Sequence, residues 1–283
     1  MSARKILPRV LLYAVVLLIV VWTLAPYAWL VFSSLSHKID LVTVPLKINP
    51  LNLTFDNFRA LFTIAGDESV NVTLFLNALK NSTIISLSTM LICLPLGVMA
   101  AYAATRLKFK GSNAIILTSM ITQLIPPIIL VIPLYVIMRK FVLLDTQIGL
   151  ILVDISICLP LVIWMMRGYL ASIPRDLEDA ARIDGCTYLS ALIRVVLPLA
   201  GPGLVSVMIF AFIASWNEYL YAFIFTNVQA KTLPVLIGEF STKLGLEYLK
   251  IAAAGVLASL PPVLLALIFQ KFIIRGLTSG AVK

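Results

Sequence analysis

Two stretches of this chain place charged side chains where they can do chemical work. The first is IPRDLEDAARIDGCTYLSALIRVVLPLAGPG, Ile173 to Gly203, in which acids and bases recur at helical spacing. The second feature is a pair of isolated carboxylates, Asp154 and Glu218, each inside a long apolar run. An ionisable group in such surroundings is costly and tends to face a partner or a water-filled path. Glu218 lies in SWNEYLYAF, so Trp216, Asn217, Glu218 and Tyr219 are the candidate lining of a polar path. The alternative for Glu218 is a structural bond between helices. For the rings of Trp216, Tyr219 and Tyr221, an aromatic belt at a membrane interface is the favoured reading. Asp154 comes early in its run and is expected to cap or pair with a neighbouring helix.

The usual reactive sets are not apparent in the sequence. His37 is the one histidine, and Cys93, Cys158 and Cys186 are far apart, with no CxxC pair. Neither a metal site nor a disulfide framework is supported. No GxxxxGK[ST] occurs, so the chain is not expected to bind ATP. No catalytic residue is assigned.

The elements that position these residues follow from composition. Of 283 residues, 61% are hydrophobic and 12% charged, with a mean hydropathy of +1.04. A soluble domain of this size needs more polar surface, so apolar surface must face lipid. The net charge of +9 does not imply a nucleic-acid partner, because the basic residues form short clusters between apolar runs, as the positive-inside rule describes.

Those runs predict an all-α, polytopic membrane protein: a single transmembrane domain over 1–283. Spans are expected at about 10–32, 81–105, 112–138, 146–166, 203–225 and 251–270, each long enough for a roughly 30 Å apolar layer. The first is read as an uncleaved helix rather than a signal peptide. A polar stretch, about 33–79, holds no span. Pro126, Pro127 and Pro133 interrupt the third span, and Pro261 and Pro262 the sixth. Such prolines are tolerated where neighbours or water re-satisfy the freed carbonyls. Arg106, Lys108 and Lys110, with Arg167, Arg175, Arg182 and Arg194, lie near span ends and place both termini in the cytoplasm. Arg139 and Lys140 oppose that orientation. No internal repeat is found.

The segment between the fourth and fifth spans, about 172–202, is too amphipathic to cross. Pro174 suits a first helical turn, Asp176, Glu178 and Asp179 favour the positive helix start, and Gly185 is placed to end the helix. Arg175 with Asp179, and Glu178 with Arg182, are spaced to pair along it. The expectation is a cytoplasmic helix of about ten residues, with Ala180 and Ala181 making part of its surface small. It is either a docking knob for another protein or an interfacial turn.

This loop resembles the EAA motif of ABC importer permeases: E-A-A, three residues, G, nine residues, I-x-L-P. Asp179, Ala180 and Ala181 fill the triplet, Gly185 follows, and Val195, Val196, Leu197 and Pro198 close it. Asp179 replaces Glu and Val195 replaces Ile. The six-span plan, the WNE of the fifth span and the ending RGLTSGAVK resemble MalG-type permeases of maltose and trehalose importers, over essentially the whole chain.

The resemblance implies coupling to ATPase subunits through Glu178, Asp179, Ala180, Ala181, Asp184 and Gly185. It implies contact with an extracytoplasmic sugar-binding protein or lipoprotein through Ile237, Gly238, Glu239, Phe240, Leu244 and Gly245. It also implies a tail, with Gly276, Thr278, Ser279 and Gly280, lying between the ATPases, against a default of disorder. The implied partners are a MalF-type second permease, two ATP-binding subunits that hold ATP and Mg, and a di- or oligosaccharide. The implied setting is a bacterial or archaeal cytoplasmic membrane. An ion-coupled secondary transporter is the alternative; it predicts paired repeats, and none is found. A membrane enzyme would need a clustered reactive set.

Overall fold

In a computed structural model, the structure describes residues 6–43, 52–62, 69–107, 109–240 and 248–278. Among these residues all regular structure is helical. Four helices are long and apolar enough to cross a membrane: α1 (Ile6–Ser34), α4 (Ser69–Arg106), α7 (Gln147–Ser172) and α14 (Tyr248–Thr278). Two bent pairs bring the number to as many as six. They are α5 (Ser112–Thr122) with α6 (Pro127–Lys140), bent by 99°, and Tyr188–Leu199 with α11 (Gly201–Trp216), bent by 85°.

Each departure from a simple six-rod reading has a local cause. The third expected span is two helices, because Pro126 and Pro127 deny the backbone two N–H donors. The side-chain amide of Gln123 donates to the Ile157 carbonyl at 2.9 Å and ties the break to α7. The fifth expected span, 203–225, is interrupted at Asn217–Tyr219 and resumes as α12 (Leu220–Phe225). The polar stretch also holds more helix than expected: α2 (Lys38–Val42), α3 (Asp56–Phe62) and the first turns of α4.

The chain divides into two units. In the first, residues 1–76 and 236–259, the side-chain amide of Asn57 donates to the carbonyls of Ser34 and Ser36, both at 2.9 Å. The Ser34 carbonyl is one that the end of α1 leaves without a helical partner. The Tyr27 hydroxyl lies 2.9 Å from the Ser259 hydroxyl, and Phe62 packs edge-on to Phe75.

In the second unit, residues 77–235 and 260–283, two apolar clusters form. Cys93, Val162, Met166, Leu170, Val196 and Val207 belong to one. Ile85, Val153, Tyr221, Phe225 and Val235 belong to the other. Gly203 lets α11 approach α7: a Cβ there would run into the Tyr169 ring.

Between α7 and α11 lie the pieces of the amphipathic segment. They are α8 (Arg175–Ile183), α9 (Tyr188–Ala191), a π-helical turn (Leu192–Val196) and α10 (Leu197–Leu199).

Candidate functional site

The helix α8 is nine residues long and begins after Pro174. It ends in a Schellman motif: the Gly185 N–H donates to the Arg182 carbonyl at 3.1 Å, and the Cys186 N–H to Ala181 at 3.0 Å. Gly185 has φ of +93°, the left-handed region that glycine enters without a Cβ penalty. Asp176 and Glu178 lie in the first turn and Arg182 in the last, matching the helix dipole.

The expected pairs along α8 are replaced by pairs beneath it. Glu178 turns inward, where its carboxylate lies 3.2 Å from the Arg106 Nε; both side chains are about 95% buried, at 6% and 5% exposure. The Tyr102 hydroxyl donates to the other Glu178 oxygen. Arg106 Nη2 also donates to the carbonyls of Leu170 and Ile173, at 2.9 and 2.8 Å. Arg175 donates to the Thr105 carbonyl at 2.7 Å, and Arg182 lies over the Tyr188 ring, 4.0 Å from its centroid. Nε of Arg106 and Oε2 of Glu178 thus face one another as an ion pair without an aligned hydrogen bond.

This geometry corrects the expected coupling set. Glu178 is buried and anchors the helix from inside instead of facing outward. Ala181 is also buried, at 9% exposure, so the small surface is that of Ala180. Asp179, Ala180, Asp184 and Gly185 remain on the outer side. Apolar side chains are exposed beside them: Leu177, Leu189 and, at 87% exposure, Ile183.

The group in the fifth span separates in the same way. Trp216 is buried and stacks on Phe212, centroids 5.5 Å apart, which removes it from any path lining. Glu218 caps α12: its two carboxylate oxygens accept the Tyr221 N–H at 2.8 Å and the Ala222 N–H at 2.9 Å. Asn217 and Tyr219 are exposed at the break, with Tyr219 stacked on Phe223. One turn earlier, the Ser215 hydroxyl donates to Asp154, joining α11 to α7 as the position of Asp154 suggested.

At the other expected sites, α13 (Leu233–Glu239) carries Ile237, Gly238 and Glu239, all half-buried. Phe240 is buried, which takes it out of a surface contact set. Leu244 and Gly245 lie outside the described residues, as do Ser279 and Gly280. Gly276 and Thr278 belong to the last turn of α14, which extends helix into the expected tail. Among the described residues no group of three or more His, Cys, Asp or Glu could hold a metal ion.

The comparison with known proteins places this architecture. The family described as binding-protein-dependent transport system inner membrane component matches residues 93–279. This chain belongs to that family. It is 42% identical over 269 residues to the trehalose transport system permease protein SugB of Mycobacterium tuberculosis, across 94% of each chain. It is 32% identical over 282 residues to the trehalose/maltose transport system permease protein MalG of Thermococcus litoralis, across 99% of each chain. A solved bacterial ABC transporter involved in the import of the acidic polysaccharide alginate contains a chain of the same fold. That chain has a TM-score of 0.76 and 22% identity, over 96% of this chain and 98% of the other. The protein is therefore a multi-pass permease component of the cytoplasmic membrane.

Sequence reasoning missed several organising residues of the permease. Asp145, between α6 and α7, has φ of +54°. Its carboxylate accepts the N–H groups of Asn227, Val228, Gln229 and Ala230, at 3.0–3.2 Å. Burial raises its pKa, but the four donors outweigh that and hold it below the usual aspartate range. Asn81 stands in an Asn-x-Ser/Thr triplet that chance alone accounts for. Its amide donates to the carbonyls of Gln229 and Lys231, and its oxygen accepts from Gln147. The signal available for Asp145 was only an acid between two apolar runs, and its partners are more than 80 residues away.

Proposed function

We propose that this permease is one membrane-spanning subunit of an ATP-driven importer for a di- or oligosaccharide. A MalF-type second permease completes the membrane path. Two ATPase subunits bind ATP and Mg, and an extracytoplasmic sugar-binding protein delivers the substrate. The names of two relatives, both including trehalose, support that sugar class. The solved alginate transporter in complex with an alginate-bound periplasmic protein is a structural precedent for the binding-protein partner. The chain is a single transmembrane domain of six crossings with both termini in the cytoplasm.

The observation that carries the coupling reading is α8 itself. It is a short helix fixed from beneath by Arg106, with Leu177, Asp179, Ala180 and Ile183 turned outward. A rigid tip with an apolar centre and a charged edge fits a groove on another protein. An interfacial turn would need no such anchoring.

The test is Ile183→Asp in the assembled transporter. The variant is expected in the membrane at normal levels, with little ATPase co-purified and no uptake of trehalose or maltose. Full retention of the ATPase by that variant removes α8 as the docking element. With Cys186 replaced by serine and Cys93 and Cys158 buried, cysteines introduced one at a time at Gly111 or Asp184 are expected to react with impermeant reagent only from the cytoplasmic side. Reaction from outside reverses the proposed orientation.

A further inference from the structure

The link between α8 and the spans is narrow. The backbone of α8 packs on α9 and the π-helical turn. Its link to the end of α4 runs through side chains: Arg106, Glu178 and Tyr102, with Arg175 reaching the Thr105 carbonyl. We propose that Arg106, Glu178 and Tyr102 form a latch that makes α8 and the cytoplasmic ends of α4 and α7 one rigid lever. The inference rests on the docking reading of α8 and names the residues that carry its motion into the membrane.

The chemistry suits a joint that must not slip. Arg106 is the last residue of α4. The guanidinium is planar and holds its donors in a fixed fork. One nitrogen takes two carbonyls at the C-terminal end of α7, Leu170 and Ile173, where the dipole favours a cation. Another nitrogen faces Glu178 of α8. Tyr102, one turn earlier on α4, holds the second oxygen of the same carboxylate and is 3.3 Å from the Tyr188 carbonyl, the first residue of α9. Three helices, α4, α7 and α8, thus meet at one buried charge pair. Opening it leaves a charge unpaired in a low-dielectric site, which costs far more than an exposed pair would. A push on the tip of α8 is therefore passed to α4 and α7 instead of being absorbed at residues 172–174.

This role makes Arg106 and Tyr102 positioning residues for transport. In the complete transporter, spin labels at Asp176 on α8 and Leu107 just beyond α4, both exposed, report the joint. With the native latch, their distance is expected to be the same without nucleotide and with trapped ATP. Arg106→Lys keeps the charge but not the fork, and Tyr102→Phe removes one hydroxyl. In either variant the distance is expected to change with nucleotide. Sugar taken up per ATP hydrolysed is expected to fall about tenfold with Arg106→Lys and less with Tyr102→Phe.

A native distance that itself changes with nucleotide overturns the latch, and so does wild-type uptake per ATP in both variants. If Arg106→Lys does not accumulate, the milder Tyr102→Phe decides by the same two readouts. Failure of the docking reading looks different: Ile183→Asp then keeps its ATPase, and the label distance ignores nucleotide in every variant.

Discussion

Glu178 and Glu218 are both carboxylates that the sequence offers as site candidates, and the fold uses them in opposite ways. Glu178 meets a guanidinium and a phenol from another helix, 72 and 76 residues away in the chain. Glu218 accepts two backbone N–H groups three and four residues ahead of it. One carboxylate holds separate helices together; the other closes the first turn of its own. A candidate carboxylate can thus be a long-range tie or a local cap, and the partner within reach decides between them.

The contrast breaks most readily at the latch. Arg106→Ala leaves Glu178 buried without its cation, at a cost of about 3–5 kcal/mol. Its thermal unfolding midpoint in detergent is expected to fall further than that of any variant below. A loss no larger than that of a Glu218 variant erases the distinction. Next comes Gly203→Leu, which forces a side chain into the Tyr169 ring. Overpacking of this kind costs about 1–3 kcal/mol, read from the same midpoint. A neutral outcome means that Tyr169 swings away freely.

Glu218→Ala removes a cap of six-residue α12, worth about 1 kcal/mol. Hydrogen exchange at the Tyr221 and Ala222 amides is expected to quicken while α8 stays protected. Quickened exchange in α8 would mean that Glu218 is also a long-range tie.

Asp145 sharpens the comparison, because it is a carboxylate with backbone donors that are distant in sequence. Its lowered pKa means that it contributes stability above the ordinary aspartate pKa of about 4. That contribution is lost as pH falls through the lower folded value. Asp145→Asn is expected to be less stable than wild type near neutrality, by about 1 kcal/mol, read from the unfolding midpoint, and the gap should narrow on acidification. A gap independent of pH removes charge from the account of this clamp.

The smallest structural effect is expected from Asp179→Asn on the exposed side of α8. Stability should change by less than about 0.5 kcal/mol, while retention of the ATPase on purification falls. A marked loss of stability would place Asp179 with Glu178 among the anchors.

Much of α8 was legible because its signals are local. Pro174, the acids of the first turn and Gly185 each act within a few residues, and the helix begins and ends where they direct. The division of its side chains between inside and outside was not legible. Glu178 and Asp179, like Ala180 and Ala181, are neighbours of the same kind. Only the position of α4 and the π-helical turn determines which of each pair is buried. The break at Asn217–Tyr219 was partly visible as a polar group in an apolar run, but the run itself read as one continuous span.

By itself, the sequence determined that the chain is helical, apolar enough to require lipid, and equipped with one charged helix between spans. Those properties depend on composition and on spacings of three to four residues, which every local segment carries wherever the rest of the chain lies. The tertiary structure alone decided that Arg106 and Tyr102 meet Glu178, that Asp145 gathers the Asn227–Ala230 amides, and that Pro126 and Pro127 bend a span by 99°. Each joins groups that helix packing brings together across many residues, or fixes an angle that neighbouring helices must accommodate. Residue type signals that a buried charge or a broken helix needs partners; packing geometry selects them.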